Sequence, residues 1–373
     1  MAQKDSCKFI LVDTLQGTET SGYYLTANIN NWDPQDENYR FKKEADGTNS
    51  LICVFDRGTS LEFKFTKGGW DKVECNKDGS DIGNHRLNTD TAKFTIYYIG
   101  GWKNSFAPKT KSHTASINVR IVDTAFYMPQ LDRNRRIWIY LPVGYATNRK
   151  QYPVMYMHDG QNIFDEYTAG FGEWGVDECL DSMIKKGKPA CIVVGIDCGP
   201  QRMNEYNPYD FKTFGQGEGD KYIEFLVKTL KPFIDRHYRT LPGKENTIIA
   251  GSSMGGLISY YAMLRYPDVF GKAGIFSPSF WTADGIKALT DSTGSRIKGK
   301  LFFYIGSLEG KTYVNDMNEI VEKLGALSGA MIYSVIDTDP GSRHNEKAWR
   351  KWFAEFYNWV MADGFNNIIK MEE

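Results

Sequence analysis

A serine surrounded by small residues stands between a β-branched segment and a helical one in the stretch NTIIAGSSMGGLISYYAML. Gly251, Ser253 and Gly255 have the GxSxG spacing, which permits a strand-to-helix turn so tight that the serine adopts strained backbone angles. Such a turn exposes the hydroxyl at a helix N-terminus, where negative charge is favoured. The pattern predicts a nucleophile at Ser253, and a capping serine in an ordinary turn is the alternative. Ser252 is the weaker candidate, because glycines do not flank it at this spacing.

A neutral serine hydroxyl is a poor nucleophile, so a general base must lie within hydrogen-bond reach. His344 is the only histidine after Ser253, in a loop between the apolar segment MIYSVID and the last helical stretch. This is where a base reaching back over a sheet end is expected. We interpret His237, at the end of a helical stretch, as structural, and His85 and His113 as surface residues.

An acid must orient that base, and it should follow a strand between the serine and the histidine. Glu309 comes directly after KLFFYIGS and is the predicted acid. Asp316 is a further candidate, at the start of the helical stretch that follows. Asp337 and Asp339 are nearer to His344 in sequence and remain the alternatives.

Attack on a carbonyl also requires donors aimed at the resulting oxyanion. The backbone N–H of Met254, directly after the serine, supplies one by position. The second is predicted from the loop HDGQNIFD, at Gly160 or Gln161. His158 in that loop precedes Ser253 in the chain, and we expect it to hold the loop by hydrogen bonds.

The elements around these residues change character along the chain. Residues 1–104 read as short alternating segments separated by Asn, Asp and Gly, which predicts a β-sandwich. Residues 105–116 are polar and predict a linker. Over 117–373, short apolar strands alternate with amphipathic helical stretches, which predicts an α/β domain with a doubly wound, mostly parallel sheet. Ligands bind such sheets at the carboxyl ends of the strands, where the candidate residues lie.

From about Arg135 onward the chain resembles the esterase family that includes carbohydrate esterase family one, with feruloyl and acetylxylan esterases and, more distantly, enterochelin esterases. The shared segments are RIWIYLPVGY, YPVMYMHDGQNIFDE, GEWGVDE, IVVGIDCGPQRMNEYNP, AGSSMGG, FSPSFW, IGSLEG and RHNEKAWR. The resemblance implies an α/β-hydrolase fold. It also implies a Ser253, His344 and Glu309 triad, with oxyanion donors at Gln161 and Met254.

The same resemblance suggests that four residues line the substrate pocket, namely Trp281, Arg202, Glu205 and Tyr206. Cys198 stands where the family is expected to have Asn. The implied reaction is hydrolysis of a feruloyl or acetyl ester on a plant polysaccharide such as xylan, with no metal or organic cofactor. A hydrolase of siderophores or other small esters, and a carbohydrate-binding protein with an inactive hydrolase domain, are the alternatives.

The N-terminal segments YYLTANINNWDP, LEFKFTKGGWDKVE and DIGNHRL resemble starch- and glycogen-type carbohydrate-binding domains. Two expected aromatic residues are missing, because Cys75 takes the place of one and none stands near Ser50. Trp70 is the candidate stacking platform for a glycan. In the alternative, Trp32 and Trp70 pack the sandwich or its contact with the other domain.

Bulk properties exclude some partners. The formal net charge is -1, from 45 basic and 46 acidic residues, so neither nucleic acid nor an anionic membrane is an expected partner. No apolar run approaches the roughly 20 residues that span a bilayer. The six cysteines contain no CxxC pair, which argues against a zinc cluster, although Cys53 and Cys75 are a conceivable disulfide in an exported protein. The start MAQKDSCKFILV does not read as a signal peptide. We expect a secreted or periplasmic protein if an export signal was removed, with the cytoplasm as the alternative.

Overall fold

The computed structural model describes residues 4–15, 22–30, 32–57, 59–88, 93–107, 111–212, 214–362 and 368–370. They divide into two compact units, Met1–Thr110 and Lys111–Glu373, called here the N-terminal and C-terminal units. Residues 111–116 of the predicted linker belong to the C-terminal unit by their contacts.

The N-terminal unit is built from short strands, as its alternating pattern predicts. They are β1 (Lys4–Val12), β2 (Tyr24–Ala27), β3 (Lys42–Lys43), β4 (Asn49–Asp56), β5 (Ser60–Thr66), β6 (Glu74–Cys75), β7 (His85–Asn88), β8 (Phe94–Tyr98) and β9 (Gly101–Trp102). Their sheets have the orders β3-β4-β1-β8, β2-β5-β7 and β6-β9. Phe9 of β1 meets Phe63 of β5 edge to face, with ring centroids 5.4 Å apart, and such pairs fill the core between the sheets.

The disulfide considered between Cys53 and Cys75 is absent. Both are buried free thiols, and the residue opposite Cys53 in the β1–β4 ladder is Cys7. Burial raises the pKa of Cys53 to about 12, so this thiol stays protonated and packs as a small apolar side chain.

The C-terminal unit contains one large sheet. Its strands are β10 (Val119–Met128), β11 (Arg133–Tyr140), β12 (Val154–His158), β13 (Ile192–Ile196), β14 (Thr247–Ser252), β15 (Lys272–Phe276), β16 (Lys300–Gly306), β17 (Met331–Asp337) and β18 (Ile368–Lys370). They are ordered β10-β11-β13-β12-β14-β15-β16-β17-β18. The pairs β10–β11 and β11–β13 are antiparallel, and every pair from β13 to β18 is parallel. The carboxyl ends of the parallel strands therefore share one edge.

Helices cover both faces of this sheet. They are α1 (Val176–Lys185), α2 (Arg202–Glu205), α3 (Gly219–Phe225), α4 (Lys231–His237), α5 (Met254–Arg265), α6 (Ile286–Thr293), α7 (Lys311–Leu327) and α8 (Glu346–Met361). Consecutive strand residues point to opposite faces, so that Ile249 packs in one apolar core and Ile248 in the other. This confirms the predicted doubly wound α/β class. Among the described residues, no helix combines the length and the apolar character needed to cross a bilayer.

One predicted helix differs from the observed structure. The stretch KYIEFLVKTLKPFIDRHY suggests a single amphipathic helix, but a π-helical turn over Leu226–Leu230 separates α3 from α4. Pro232 in the first turn of α4 has no backbone N–H to donate, so an uninterrupted α-helical ladder cannot form there.

Candidate active site

Ser253 occupies a strained turn between β14 and α5. Its φ of 60° and ψ of −121° lie outside the ordinary regions for a residue with a Cβ. Small neighbours make the turn possible, because a Cβ on Gly251 would come within 2.9 Å of His158 and one on Gly256 within 2.7 Å of the Phe276 carbonyl oxygen. The Ser253 N–H donates to that same oxygen at 2.9 Å. Packing around the turn thus compensates the strain.

The Ser253 hydroxyl lies 3.2 Å from the Ser279 hydroxyl. Ser279 is the side-chain partner of this hydroxyl, and among the described residues no hydrogen bond joins Ser253 to His344. The Ser279 N–H also donates to the Ser253 carbonyl, at 3.1 Å. Sequence reasoning did not single out Ser279. The only available signal was its place in FSPSFW after a strand end.

His344 and Glu309 come together as predicted from their positions. His344 Nδ1 lies 2.7 Å from Glu309 Oε2. The other carboxylate oxygen, Oε1, accepts from the Ser277 hydroxyl at 2.7 Å and from the Gly306 N–H at 2.8 Å. The Glu309 side chain is 2% exposed and that of His344 is 44% exposed. The carboxylate therefore fixes one face of an imidazole whose Nε2 remains available for proton transfer.

The alternative acids have other partners. Asp337 accepts from Trp352 Nε1 at 2.6 Å and from Lys351 Nζ at 3.1 Å. Asp339 also pairs with Lys351, and Asp316 pairs with Lys287 at 3.1 Å. Among the described residues, Glu309 is the acid hydrogen-bonded to His344.

Gln161 lies in a short 3-10 turn, Gly160–Asn162, that follows β12. Its side chain is occupied: Nε2 donates to Cys198 Sγ and Oε1 accepts from the Cys198 N–H, both at 3.0 Å. Cys198, the departure from the expected Asn, thus holds the Gln161 amide. That leaves the Gln161 backbone N–H as its candidate oxyanion donor. Met254 is the first residue of α5, where an N–H has no acceptor within the helix.

Three of the residues suggested to line the substrate pocket make hydrogen bonds within the C-terminal unit. Arg202 clamps Asp159 with two bonds of 2.7 and 2.8 Å. Burial raises the Asp159 pKa, but the charge and hydrogen bonds of Arg202 outweigh this, so that the pKa is lowered overall. Glu205 and Tyr206 are fully buried and so present no surface to a ligand. The Glu205 carboxylate is bound by Arg135 at 2.6 and 2.8 Å.

Trp281 is the fourth, and it is accessible. It is 44% exposed, in the segment that contains Ser279. Its ring meets Phe211 edge to face at 5.7 Å and lies 6.2 Å from Tyr313. This aromatic group could stack on a ring of an acyl or alcohol portion.

Two further titratable groups lie in this region. His158 is buried, with Nδ1 2.9 Å from the Tyr222 hydroxyl, and burial lowers its pKa to about 3. It therefore stays neutral and supports the turn, as its place in the loop predicted. Burial raises the pKa of Glu346, at the start of α8, to about 7, with smaller contributions from His344, Asp159 and Arg202. Sequence reasoning missed this acid. Among the described residues, no cluster of possible metal ligands is found.

In the N-terminal unit, Trp70 is 46% exposed and its ring lies 6.5 Å from that of Trp32. His85, expected at the surface, is instead half-buried, 3.0 Å from Glu74 and packed against Phe63. His113 is exposed, and His237 bonds the Phe233 carbonyl within its own helix.

A strained serine after a central strand of a mostly parallel sheet, with a carboxylate-bound histidine after a later strand, defines the C-terminal unit as an α/β-hydrolase. The chain belongs to the Putative esterase family, whose model matches residues 129–357. It is therefore a carboxylic ester hydrolase.

The chain is also similar to individual proteins and solved structures. The chain is 26% identical over 242 residues to the uncharacterized protein YbbA of Bacillus subtilis, covering 61% of this chain and 92% of YbbA. It is 24% identical over 333 residues to an endo-1,4-beta-xylanase/feruloyl esterase of Xylanibacter ruminicola, covering 84% of this chain and 43% of that protein. The enterobactin esterase structure from Shigella flexneri shares the fold, with a TM-score of 0.54 at 15% identity over 96% of this chain and 93% of that one.

Proposed function

We propose that the protein removes acyl groups, feruloyl foremost, from a plant polysaccharide such as xylan, with Ser253 as nucleophile, His344 as general base and Glu309 as the orienting acid. The observation that carries the proposal is the 2.7 Å bond between His344 Nδ1 and a buried Glu309 carboxylate. A histidine held in this way has its Nδ1 protonated and its Nε2 free to act as a base.

The reaction would proceed in two acyl-transfer steps. Ser253 Oγ leaves its bond with Ser279, gives its proton to His344 Nε2 and attacks the ester carbonyl. The Gln161 and Met254 N–H groups stabilise the oxyanion. The alcohol departs with the proton from His344, and water then repeats the sequence on the acyl-enzyme.

Two observations support an aromatic acyl group on a carbohydrate. Trp281, edge to face with Phe211, offers an exposed ring in the segment of Ser279. The relative from Xylanibacter ruminicola is a xylanase joined with a feruloyl esterase. We also propose that the exposed Trp70 of the N-terminal unit contacts glycan. A polysaccharide substrate lies outside the cytoplasm, so we propose a secreted or periplasmic location.

The test is hydrolysis of three esters by the wild type and Ser253→Ala: methyl ferulate, a feruloylated xylo-oligosaccharide and p-nitrophenyl acetate. We expect Ser253-dependent ferulate release, faster from the oligosaccharide. Release of acetate alone would replace this proposal with a small-ester hydrolase, and a cyclic catecholate triester in the same assay would identify a siderophore esterase. Equal rates for both proteins would remove Ser253 from the mechanism.

A further inference from the structure

A polar segment before the central sheet, residues 111–118, is bound to the loop that carries Gln161. We call this segment the connector and residues 159–175 the Gln161 loop. His113 Nδ1 lies 2.7 Å from Asp165 Oδ2, and the Thr114 N–H donates to Asp165 Oδ1 at 3.0 Å. The His113 ring also lies 4.1 Å from that of Tyr167. The connector is therefore hydrogen-bonded to this loop and not only to solvent.

The Thr114 hydroxyl joins the two halves of the loop. It donates to Glu173 Oε2 at 2.9 Å and accepts from the Glu166 N–H at 2.8 Å. A single side chain of the connector thus links residues 166 and 173 of the loop.

The loop acids depend on these contacts. Asp165 is 4% exposed and Glu173 is 8% exposed. A buried carboxylate is costly unless donors satisfy it. Burial raises the Asp165 pKa, but the bonds from His113 and from the Thr114 and Tyr167 N–H groups outweigh it and lower the pKa overall. Much of the stabilisation of this ionised carboxylate therefore comes from the connector.

The contacts continue from Asp165 to Gln161. The Asp165 carbonyl accepts from the N–H groups of Thr168 and Ala169 at 3.1 and 3.0 Å, which closes a turn. The Thr168 hydroxyl then donates to the Gln161 carbonyl at 2.8 Å. The Gln161 side chain is held from the other side by Cys198. Hydrogen bonds that begin in the connector thus reach the backbone of the candidate oxyanion donor.

We infer that the connector is a positioning element of the oxyanion hole. In this role Thr114 and His113 hold the Gln161 loop so that the Gln161 backbone N–H can donate to the oxyanion as it forms. The inference rests on the proposed function, because it assigns the connector a part in the same reaction. Thr114 acts through Gln161 and does not touch the substrate.

The test uses the full chain with Thr114→Val, which loses both hydroxyl bonds at nearly constant shape, and Thr114→Ser, which keeps them. Thr147→Val is the matched control, since Thr147 makes an exposed hydroxyl bond to the Gly144 carbonyl outside this loop. Three quantities are measured: kcat and KM for methyl ferulate, amide hydrogen exchange over residues 160–174, and Tm.

We expect Thr114→Val to lower kcat about tenfold with KM unchanged, because a displaced donor loses part of the 10²- to 10³-fold that a full donor contributes. Exchange over 160–174 should rise. Thr114→Ser should restore both values, and Thr147→Val should match the wild type. His113→Ala, at a 70% exposed side chain, is a second variant that should fold and lose about threefold in kcat by the same reasoning.

Wild-type kcat in Thr114→Val and His113→Ala would overturn the inference. So would a loss of kcat without faster exchange in the loop, or a lower Tm with unchanged kcat, since these indicate a merely structural role. If Ser253→Ala hydrolyses methyl ferulate as fast as the wild type does, the proposed function itself fails and the inference fails with it.

Discussion

Replacing Glu309 by Gln should disable the base while leaving the shape of the site intact. Three groups bond the Glu309 carboxylate. The Ser277 hydroxyl and the Gly306 N–H donate to Oε1, and His344 Nδ1 bonds Oε2. A Gln keeps more hydrogen bonds if its oxygen stays at the Oε1 position, so its NH₂ group must face His344. Nδ1 then becomes an acceptor and the proton moves to Nε2.

An imidazole in that tautomer cannot take the serine proton. We expect kcat to fall by about 10³- to 10⁴-fold, which corresponds to roughly 4–5.5 kcal/mol of transition-state stabilisation. KM should change little, because the Glu309 side chain is 2% exposed and so presents almost no surface to substrate. The measurement is steady-state kinetics on p-nitrophenyl acetate over a range of concentrations up to saturation, which gives both kcat and KM.

Asp337→Asn is the matched control, because Asp337 is the rival acid and bonds Trp352 and Lys351 instead of His344. Its kcat should stay within about threefold of the wild type, since such variants lose stability more than catalysis. A Glu309→Gln enzyme that keeps a tenth of the wild-type kcat, or an Asp337→Asn enzyme that is equally impaired, would refute the assignment.

Three further outcomes are expected. Trp281→Ala should raise KM for methyl ferulate about three- to tenfold through lost ring stacking, with KM for p-nitrophenyl acetate unchanged; an equal effect on both esters would argue against stacking. Because burial lowers the pKa of His158 to about 3, the unfolded chain takes up its proton first, near pH 6.5, and stability is lost as the pH falls from 6.5 toward 3. The free energy of unfolding measured in urea should fall by up to about 2 kcal/mol between pH 6.5 and 5 because of this group. It should fall correspondingly less in His158→Gln than in His113→Gln. Identical pH slopes in the two variants would contradict the burial effect. Trp70→Ala should migrate faster than the wild type in affinity gels of xylan or starch, whereas Tyr98→Ala, at a 75% exposed ring, should not; unchanged migration of Trp70→Ala in both gels would exclude glycan binding through this residue.

The class of fold could be predicted because local patterns determine it. Strands with apolar runs, the small residues of the elbow and the order of serine, acid and histidine are all visible in the sequence. The choice of Glu309 over Asp337 and Asp339 followed from the position after a central strand, and the hydrogen bond to His344 agrees with it.

Pairing across long sequence separations could not be predicted in this way. Glu205 was expected near substrate, but it is buried in the structure. Its hydrogen-bond partner there is Arg135, which lies 70 residues earlier in the chain. His85 was expected at the surface, yet Glu74 and the aromatic core hold it half-buried. The Ser253–Ser279 hydrogen bond likewise joins two strand ends that only the folded sheet makes neighbours.

The most direct test of the central claim is to trap the acyl-enzyme. The wild type and Ser253→Ala are mixed with a feruloyl ester of a good leaving group, quenched in acid within the first turnover and analysed by peptide mass spectrometry. A feruloyl adduct on the peptide that carries Ser253, absent from Ser253→Ala and formed in a burst, is the predicted result. Turnover with no adduct on that peptide, or an adduct on another residue, would contradict the account.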